Sequence, residues 1–446
     1  MARRGQEFEE KQKLGITKGL RKSEAIIKRD LKLISQSYTR EYPLVVDRGS
    51  GVNIWDVDGN QYLDFSSGVA VANIGHANPD VVKAIRDQAE KIIHNASTDF
   101  YNKPIVSLAE ELFDITPGKF PKRVFYTNSG TESNECAFKL ARWFTRKHRM
   151  ISFLGSFHGR TFGSMTLTAA KAVQRDHFSP LVPGVIHAPF PHPYRTLYNP
   201  ETCDNDCIAY LEDVILKKIV PEDEVAGVIV EPIQGEEGYI VPPKNFHKKL
   251  QKFCKSHGFL YIVDEVQTGF ARSGKWFASE VYGVEPDIIT MAKGIAGGLP
   301  MGACIAKKDI MAWPKGSHAS TFAGNPVCCQ AALASINYIK KNKLWNNAEK
   351  LGKYGLKFLS DLQDEVHMIG DVRGLGLMLA VELVKSRRTK APAKHEAVKA
   401  LHKAFHNGLL LLPGGESTIR VIPPLIITKE DFETGLEILR ATLKEL

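Results

Sequence analysis

The chain has 446 residues, of which 43% are hydrophobic and 24% are charged. This composition is typical of a soluble globular protein, and the length predicts more than one domain. A net charge of +9 indicates a basic surface that attracts either anionic metabolites or nucleic acid, and because no basic stripe is interleaved with aromatic residues we expect no nucleic-acid partner.

A polar, basic arm with some helical pattern occupies residues 1–35. It begins MARRGQEFEE, with no apolar segment after the basic residues, so we expect no secretory signal. No apolar run of the chain reaches the roughly 18 residues that span a bilayer. The seven cysteines are scattered, and Cys203 and Cys207 have no second ligand pair nearby, so no metal site is predicted. We therefore expect a cytoplasmic protein with no membrane partner.

A β-hairpin is predicted over residues 52–65, where apolar and polar residues alternate around an Asp-Gly-Asn turn. From about residue 81, helical stretches such as 131–145 and 244–257 alternate with short apolar segments. The predicted strands are RVFY (123–126), MISF (150–153), GVIVEP (227–232), FLYIVDE (259–265) and DIITMA (287–292). This alternation predicts an α/β domain with a mainly parallel sheet.

The pattern changes after residue 326 to long helices and a few strands. A final helix is predicted from about residue 429, because apolar residues recur there at three- and four-residue spacing on one face. These residues are Phe432, Leu436, Leu439, Leu443 and Leu446. We predict that this segment forms a second, smaller domain, which the early hairpin joins.

The first segment with chemical potential is a small-residue turn between a predicted strand and a predicted helix, Asn128-Ser129-Gly130-Thr131. Free N–H groups and the helix dipole at such a position favour an anion, so the turn is a candidate phosphate site. An ordinary helix cap explains the same residues, since Ser and Thr are common at that position. The turn alone does not decide between the two.

Two further segments place ionisable residues at the ends of predicted strands. Asp264 ends one strand, where sheet enzymes bind ligands, and a carboxylate there can keep a pyridinium nitrogen protonated. Lys293 ends another and precedes a glycine-rich turn, and partial desolvation there would lower its pKa and make the amine a nucleophile. Each residue alone is also explained as a turn cap or a surface charge. A phosphate turn, an aspartate and a lysine in this order are the parts that pyridoxal phosphate requires.

These segments resemble the class III pyridoxal-phosphate aminotransferases, which include 4-aminobutyrate, ornithine and acetylornithine aminotransferases. The resemblance extends from residues 42–79 to residues 419–428 and is most specific in YIVDEVQTGFARSGK (261–275) and the lysine of AKG. It implies an α/β fold of the fold type I class. In that class a large domain has a mainly parallel seven-stranded sheet flanked by helices, and both termini build a smaller α+β domain. The implied ranges are 1–63 and 326–446 for the small domain and 64–325 for the large, cofactor-binding domain.

The resemblance also assigns the cofactor contacts. These fall on Ser129, Gly130, Thr131, Phe157, His158, Asp264, Val266, Gln267, Lys293 and Thr321. Phe157 and Val266 would pack on opposite faces of the ring, Asp264 would pair with the ring nitrogen, and Gln267 would reach the phenolic oxygen. Lys293 would hold the cofactor as a Schiff base and later carry a proton between substrate and cofactor.

Two features of the resemblance concern the rest of the site. Thr321 would bind the phosphate of the partner subunit, which implies a homodimer with shared active sites. The HNASTDFYN segment (94–102) would line the substrate entrance. There Asp99 either attracts a distal ammonium or, as we favour, caps the helix that follows.

Three residues bear on the substrate. By resemblance, Arg160 grips the far carboxylate of an ω-amino acid, and Arg420 grips the α-carboxylate of glutamate. Glu236 pairs with Arg420 when the substrate has no α-carboxylate. Glu237 departs from the family pattern, in which small residues are common at this position.

The sequence predicts an aminotransferase that moves an amino group from an ω-amino donor to 2-oxoglutarate in a ping-pong reaction. An amino-acid racemase or epimerase on the same fold is the alternative. Such enzymes tend to carry Asp where Glu236 stands, which favours transamination. A basic protein that binds nucleic acid on a retained fold is a third hypothesis, and it would need neither Lys293 nor Asp264.

Overall fold

The computed structural model describes residues 14–196 and 199–446. The first part of the predicted basic arm therefore lies outside the described residues, whereas its helical pattern corresponds to the first helix. The helices are α1 Arg21–Leu33, α2 Ser67–Ala70, α3 Pro79–Ala89, α4 Lys103–Ile115, α5 Gly130–Thr145, α6 Phe162–Leu167, α7 Cys203–Tyr210, α8 Phe246–Ser256, α9 Ala278–Tyr282, α10 Pro326–Asn342, α11 Leu344–Glu365, α12 Lys394–His406 and α13 Lys429–Lys444.

The strands form three sheets. They are β1 Val46–Ser50, β2 Asn53–Asp56, β3 Gln61–Asp64, β4 Lys122–Thr127, β5 Arg149–Phe153, β6 Val185–Ala188, β7 Val225–Val230, β8 Leu260–Asp264, β9 Ile288–Met291, β10 Gly302–Lys307, β11 Ile369–Gly374, β12 Leu379–Leu383, β13 Leu409–Leu410, β14 Leu412–Gly414 and β15 Thr418–Val421. All five strands predicted after the hairpin are present, and the hairpin itself is formed by β2 and β3.

The central sheet has seven strands in the order β4-β10-β9-β8-β7-β5-β6. The pairs among β5, β6, β7, β8 and β9 are parallel, and β10 runs antiparallel to both of its neighbours. Every residue of β7, β8 and β9 is buried, as expected for strands covered by helices on both faces. The prediction of a mainly parallel, seven-stranded sheet in an α/β fold is confirmed.

Parallel order brings the functional residues to one edge. Asp264 is the last residue of β8, and Lys293 follows the end of its neighbour β9. The N-terminus of α5 follows β4 and lies at the same edge of the sheet, because β10 places β4 antiparallel to itself beside β9. Ligands bind at this edge of open α/β sheets.

Both ends of the described chain build the smaller part of the fold. One sheet has the order β1-β2-β3-β13, in which β13 from the C-terminal part pairs parallel with β3 of the early hairpin. A second sheet has the order β11-β12-β15-β14. Helix α13 packs its predicted apolar face inward, with Phe432, Leu436, Leu439 and Leu443 buried, while Leu446 lies beyond the helix end and packs partly buried against the same core.

Two searches of the described residues concern partners and metals. No helix in these parts of the chain is both long and apolar enough to cross a membrane. Within residues 14–196 and 199–446, no group of three or more His, Cys, Asp or Glu side chains could hold a metal ion. Cys203 and Cys207 are buried free thiols of α7.

Candidate active site

A cavity of about 820 Å³ opens at the carboxyl edge of β8 and β9. Every residue predicted for the cofactor or substrate lines this cavity except Thr321. These residues are Ser129, Gly130, Thr131, Phe157, His158, Arg160, Glu236, Asp264, Val266, Gln267, Lys293 and Arg420. The structure therefore brings together side chains that are as far as 291 residues apart in the sequence, from Ser129 to Arg420.

The small-residue turn forms the N-terminus of α5 at one wall of the cavity. Ser129 caps the helix by accepting a hydrogen bond on Oγ from the N–H of Glu132 at 3.3 Å. Gly130 lies tightly against Val266, since a Cβ at Gly130 would come within 2.8 Å of Val266 Cγ1. The two interpretations of this turn are therefore compatible: it is a helix cap, and its free first-turn N–H groups make an anion site.

The Thr131 hydroxyl organises the opposite loop. Its Oγ1 lies 2.5 Å from Ser164 Oγ and 3.1 Å from Thr161 Oγ1, and it accepts a hydrogen bond from the N–H of Arg160 at 3.1 Å. These contacts connect the α5 N-terminus to the segment that carries Phe157 and Arg160.

Asp264 is held in one orientation by three donors. Its Oδ2 accepts a hydrogen bond from Asn134 Nδ2 at 2.7 Å and lies 2.8 Å from His158 Nδ1, and its Oδ1 accepts from the N–H of Val266 at 3.0 Å. Asn134 in turn accepts a hydrogen bond from Thr290 Oγ1 at 2.7 Å. Asp264 is buried, so these donors stabilise a carboxylate that has little water around it. His158, predicted as a cofactor contact, positions Asp264, and sequence reasoning missed Asn134.

Lys293 begins a short 3-10 helix, Lys293–Ala296, with a left-handed backbone at φ +47°. Burial, followed by the positive charge of Arg420, lowers the pKa of its amine from 10.5 to about 8. A larger fraction of the amine is then neutral near pH 7, which is the form that attacks a carbonyl.

Glu231 is a buried carboxylate of the cavity wall that sequence reasoning also missed. Its two oxygens accept hydrogen bonds from the N–H of Phe157 at 2.8 Å and the N–H of Gly235 at 3.0 Å. Burial raises its pKa to about 7, and the nearby charge of Asp264 contributes to that rise. Glu231 thus fixes the aromatic ring of Phe157 relative to the loop that bears Glu236. No spacing rule could have found it, because its partners are backbone groups of distant segments.

Glu236 lies between two basic side chains. Its Oε1 lies 2.8 Å from Lys171 Nζ, and its Oε2 lies 3.8 Å from Arg420 Nη1. Burial opposes ionisation, but the positive charges of Arg420 and Lys171 outweigh it and lower the pKa of Glu236. The predicted pair of Glu236 and Arg420 is therefore present as a loose contact, and Lys171, which sequence reasoning missed, is the closer partner.

The remaining predicted residues lie at or outside the mouth of the cavity. Arg160 is exposed, with its guanidinium carbon 5.3 Å from the centre of the Phe157 ring. Thr321 is exposed and does not line the cavity. The expectation that Asp99 caps the following helix is wrong: Asn102 is the cap of α4 and accepts a hydrogen bond from the N–H of Ile105 at 3.0 Å. Asp99 stands too early in the chain, since the helix begins at Lys103.

The donor set of the cavity fits pyridoxal phosphate. A helix N-terminus suits the phosphate, Asp264 suits the ring nitrogen, and the Lys293 amine suits the aldehyde. Gln267 is buried, and its Nε2 has no hydrogen-bond partner in the described part of the chain, so it has a free donor for the phenolic oxygen. Each polar group of the cofactor thus has a matching residue, and fold and site together define a pyridoxal-phosphate-dependent enzyme of the fold type I class.

Comparison with known proteins identifies the family. The sequence model of the family described as "Aminotransferase class-III" matches residues 34–443. This chain belongs to that family and is a pyridoxal-phosphate-dependent enzyme. A solved amine transaminase from an uncultivated Pseudomonas species, in a form described as PLP-bound, superposes with a TM-score of 0.85 at 30% identity, over 93% of this chain and 98% of that one.

The curated relatives include more than one activity. An acetylornithine aminotransferase of Methanothermobacter thermautotrophicus is 39% identical over 95% of this chain and 100% of its own length. A probable 4-aminobutyrate aminotransferase of Bacillus subtilis is 37% identical over 94% of this chain and 96% of its own. An alanine/serine racemase of Pyrococcus horikoshii is 38% identical over 95% of this chain and 91% of its own. Identity at this level shows the family and leaves the substrate open.

Proposed function

We propose that this enzyme transfers an amino group from an ω-amino acid to 2-oxoglutarate by a ping-pong reaction. The observation that carries the proposal is that two arginines, Arg160 and Arg420, line one cavity with Lys293, and that a carboxylate, Glu236, lies close to the second arginine. A dicarboxylate such as glutamate needs two cationic partners, and planar guanidinium groups suit carboxylates. An ω-amino acid with one carboxylate needs only the first.

The residues of the chain divide the chemistry among them. Bound pyridoxal phosphate supplies an aldehyde and an electron-withdrawing ring. Lys293 Nζ, with its pKa lowered to about 8, removes and returns the proton at the substrate carbon that bears the amine. Asp264, fixed by His158 and Asn134, keeps the ring nitrogen protonated. Phe157 and Val266 enclose the ring from its two faces.

Substrate binding follows from the charges at the cavity. Arg160 receives the distal carboxylate of either substrate. With glutamate, Arg420 also receives the α-carboxylate, and Glu236 stays away from it. With an ω-amino acid, Glu236 approaches Arg420 and neutralises a cation that would otherwise face the site without a partner, which is costly in a buried position.

A homodimer is part of the proposal, with Thr321 contributing to the phosphate site of the partner subunit. Its neighbourhood supports this, because large apolar side chains are exposed there: Ile93 (64%), Phe100 (67%) and Phe322 (64%). Exposed apolar patches of this kind mark interaction surfaces. A fully active monomer at high dilution would exclude a shared site.

We also propose that residues 64–325 form the large domain and that 1–63 with 326–446 form the small one. The parallel pairing of β13 with β3 supports joining the two terminal parts.

A donor screen tests the proposed function. The purified enzyme is incubated with 2-oxoglutarate and one candidate donor at a time, including 4-aminobutyrate, ornithine and N-acetylornithine, and glutamate formation is measured. We expect glutamate with at least one ω-amino donor and none when 2-oxoglutarate is omitted. Absence of glutamate with every ω-amino donor would overturn the proposal.

Amino-acid racemisation is the second candidate, and two observations favour keeping it. The racemase of P. horikoshii is as similar to this chain as the aminotransferases are. In addition, Lys171 holds Glu236 at 2.8 Å, which leaves Arg420 open to the α-carboxylate of an ordinary amino acid. A chiral assay on single L-amino acids separates the two activities. Loss of optical activity without formation of an oxo acid supports racemisation.

A further inference from the structure

Lys171 is a cavity-lining residue to which neither the sequence motifs nor the proposed chemistry give a role. It lies between α6 and the short 3-10 helix Ala172–Gln174, 65 residues before Glu236 in the chain. Its side chain is about one-third exposed (36%), whereas that of Arg420 is almost fully buried (7%). The two cations therefore approach Glu236 from different environments, one at the solvent side and one in the interior.

The contacts of Glu236 are unequal. Lys171 Nζ donates to Oε1 at 2.8 Å, which is a charge-assisted hydrogen bond, whereas Arg420 Nη1 lies 3.8 Å from Oε2, beyond hydrogen-bond distance. The backbone of Glu236 is fixed, because its carbonyl accepts a hydrogen bond from the N–H of Gly415 at 2.8 Å. A change of partner therefore requires only a rotation of the side chain.

Arg420 is left short of acceptors. Its Nη1 donates to the carbonyl of Gly235 at 3.5 Å, and its Nε is buried without a hydrogen-bond partner in the described residues. A buried guanidinium with an unused donor gains strongly from a carboxylate that reaches it. Two carboxylates can do so: that of Glu236 after rotation, or that of a substrate.

We propose that Lys171 is a positioning residue that holds the Glu236 carboxylate away from Arg420 and thereby sets how well the enzyme binds substrates with an α-carboxylate. The inference rests on the proposed function, in which Arg420 receives that carboxylate. Lys171 and Arg420 compete for Glu236, and substrate and Glu236 compete for Arg420. Strengthening the first pair favours glutamate and 2-oxoglutarate, and weakening it favours ω-amino acids.

Removal of Lys171 has a defined consequence. Without the ammonium group, Glu236 turns to Arg420 and blocks it, so the fraction of molecules with a free Arg420 falls. Apparent affinity falls by the same factor, about 10-fold if one molecule in ten keeps Arg420 free. The effect falls on the KM of glutamate, whereas its kcat changes little, and 4-aminobutyrate is spared or improved.

The experiment compares Lys171→Met, Lys171→Arg, Glu236→Ala and the double variant Lys171→Met/Glu236→Ala in the holoenzyme. Two quantities are measured: the dissociation constant of glutarate by calorimetry, which requires no turnover, and the KM and kcat of glutamate and 4-aminobutyrate. Lys249→Met is the matched control. Lys249 makes an equally short ion pair with Asp204 (2.6 Å), is equally exposed (35%), and does not line the cavity.

We expect Lys171→Met to weaken glutarate binding about 10-fold, Lys171→Arg to restore it, and the double variant to bind glutarate as Glu236→Ala does. A Lys171→Met effect that persists without Glu236, or that raises both KM values equally, would overturn the inference. Failure of the proposed function is seen separately, because the unaltered enzyme would then form no glutamate while glutarate binding still reported on Lys171.

Discussion

Glu236 is the residue whose replacement separates the two half-reactions. A monocarboxylate donor leaves Arg420 facing the site, and only Glu236 neutralises it. Truncating one partner of a buried charge pair costs about 2–5 kcal/mol, mostly through the charge left unpaired. The contact with Arg420 is loose at 3.8 Å, and Lys171 stands at the solvent side. We therefore expect a smaller cost of about 1–3 kcal/mol, or roughly 5- to 150-fold in rate.

Glu236→Ala should place that loss on the half-reaction with 4-aminobutyrate and spare or improve the one with glutamate. Single-turnover rates of each half-reaction, followed by the cofactor absorbance, measure the two effects separately. Equal losses in both half-reactions would mean that Glu236 has a structural role and would remove the mechanistic support for ω-amino donors.

The site residues that the sequence predicted are those at the ends of strands or in specific motifs, such as Lys293 and Asp264. Their side chains line one cavity because parallel order makes the strand ends adjacent. Lys171, Glu231 and Asn134 could not be predicted in the same way. Their roles depend on partners far along the chain or on backbone N–H groups, as for Glu231 with Phe157 and Gly235. Such contacts exist only once the fold has formed.

At the scale of elements, apolar runs that end in polar residues predicted the strands well. The β8 prediction, 259–265, matches Leu260–Asp264, whereas the β7 prediction, 227–232, starts two residues late against Val225–Val230. Strand β10, Gly302–Lys307, was missed because GACIAK consists largely of small residues and continues a glycine-rich turn. Its place between β9 and β4 depends on antiparallel pairing with both, which is a tertiary property.

Helix α4 offers a direct test of which residue forms its N-terminal cap. Asn102 Oδ1 accepts the N–H of Ile105 at 3.0 Å, and Asn102 also contacts Asn95 and Ser97 through Nδ2. Asn102→Ala should lower the free energy of unfolding by about 1 kcal/mol, the usual value for a lost cap. Asp99→Ala is the matched control and should change it by less than about 0.5 kcal/mol, since Asp99 is exposed. Urea unfolding measures both, and a larger loss for Asp99→Ala would contradict the assigned cap.

At the scale of the whole molecule, stability should depend on pH through buried carboxyl groups. Burial, with a contribution from Glu236, raises the pKa of Glu237 from 4.5 to about 7, against the opposing charge of Lys171. The folded chain therefore binds this proton more tightly than the unfolded chain. The resulting stability is fully present below about pH 4.5 and is lost as the pH rises through about 7.

Glu237→Gln should remove this dependence, because the amide stays neutral. Relative to the unaltered enzyme, the variant should gain about 1–3 kcal/mol in free energy of unfolding between about pH 5 and about pH 8, since one pKa unit corresponds to about 1.4 kcal/mol. Urea unfolding at both pH values measures the difference, with Glu212→Gln on an exposed helix surface as the control. A constant difference between Glu237→Gln and the unaltered enzyme would show that this carboxyl titrates alike in both states.

The central claim is that the cavity at the carboxyl edge of β8 and β9 holds pyridoxal phosphate through Lys293. Borohydride reduction of the purified holoenzyme, followed by proteolysis and mass spectrometry, tests it most directly, because reduction makes the bond between cofactor and lysine permanent. We expect a yellow protein that loses its colour on reduction and carries the phosphopyridoxyl adduct on Lys293. Lys293→Ala should carry no adduct. An adduct on another lysine, or none in the unaltered enzyme, would contradict the account.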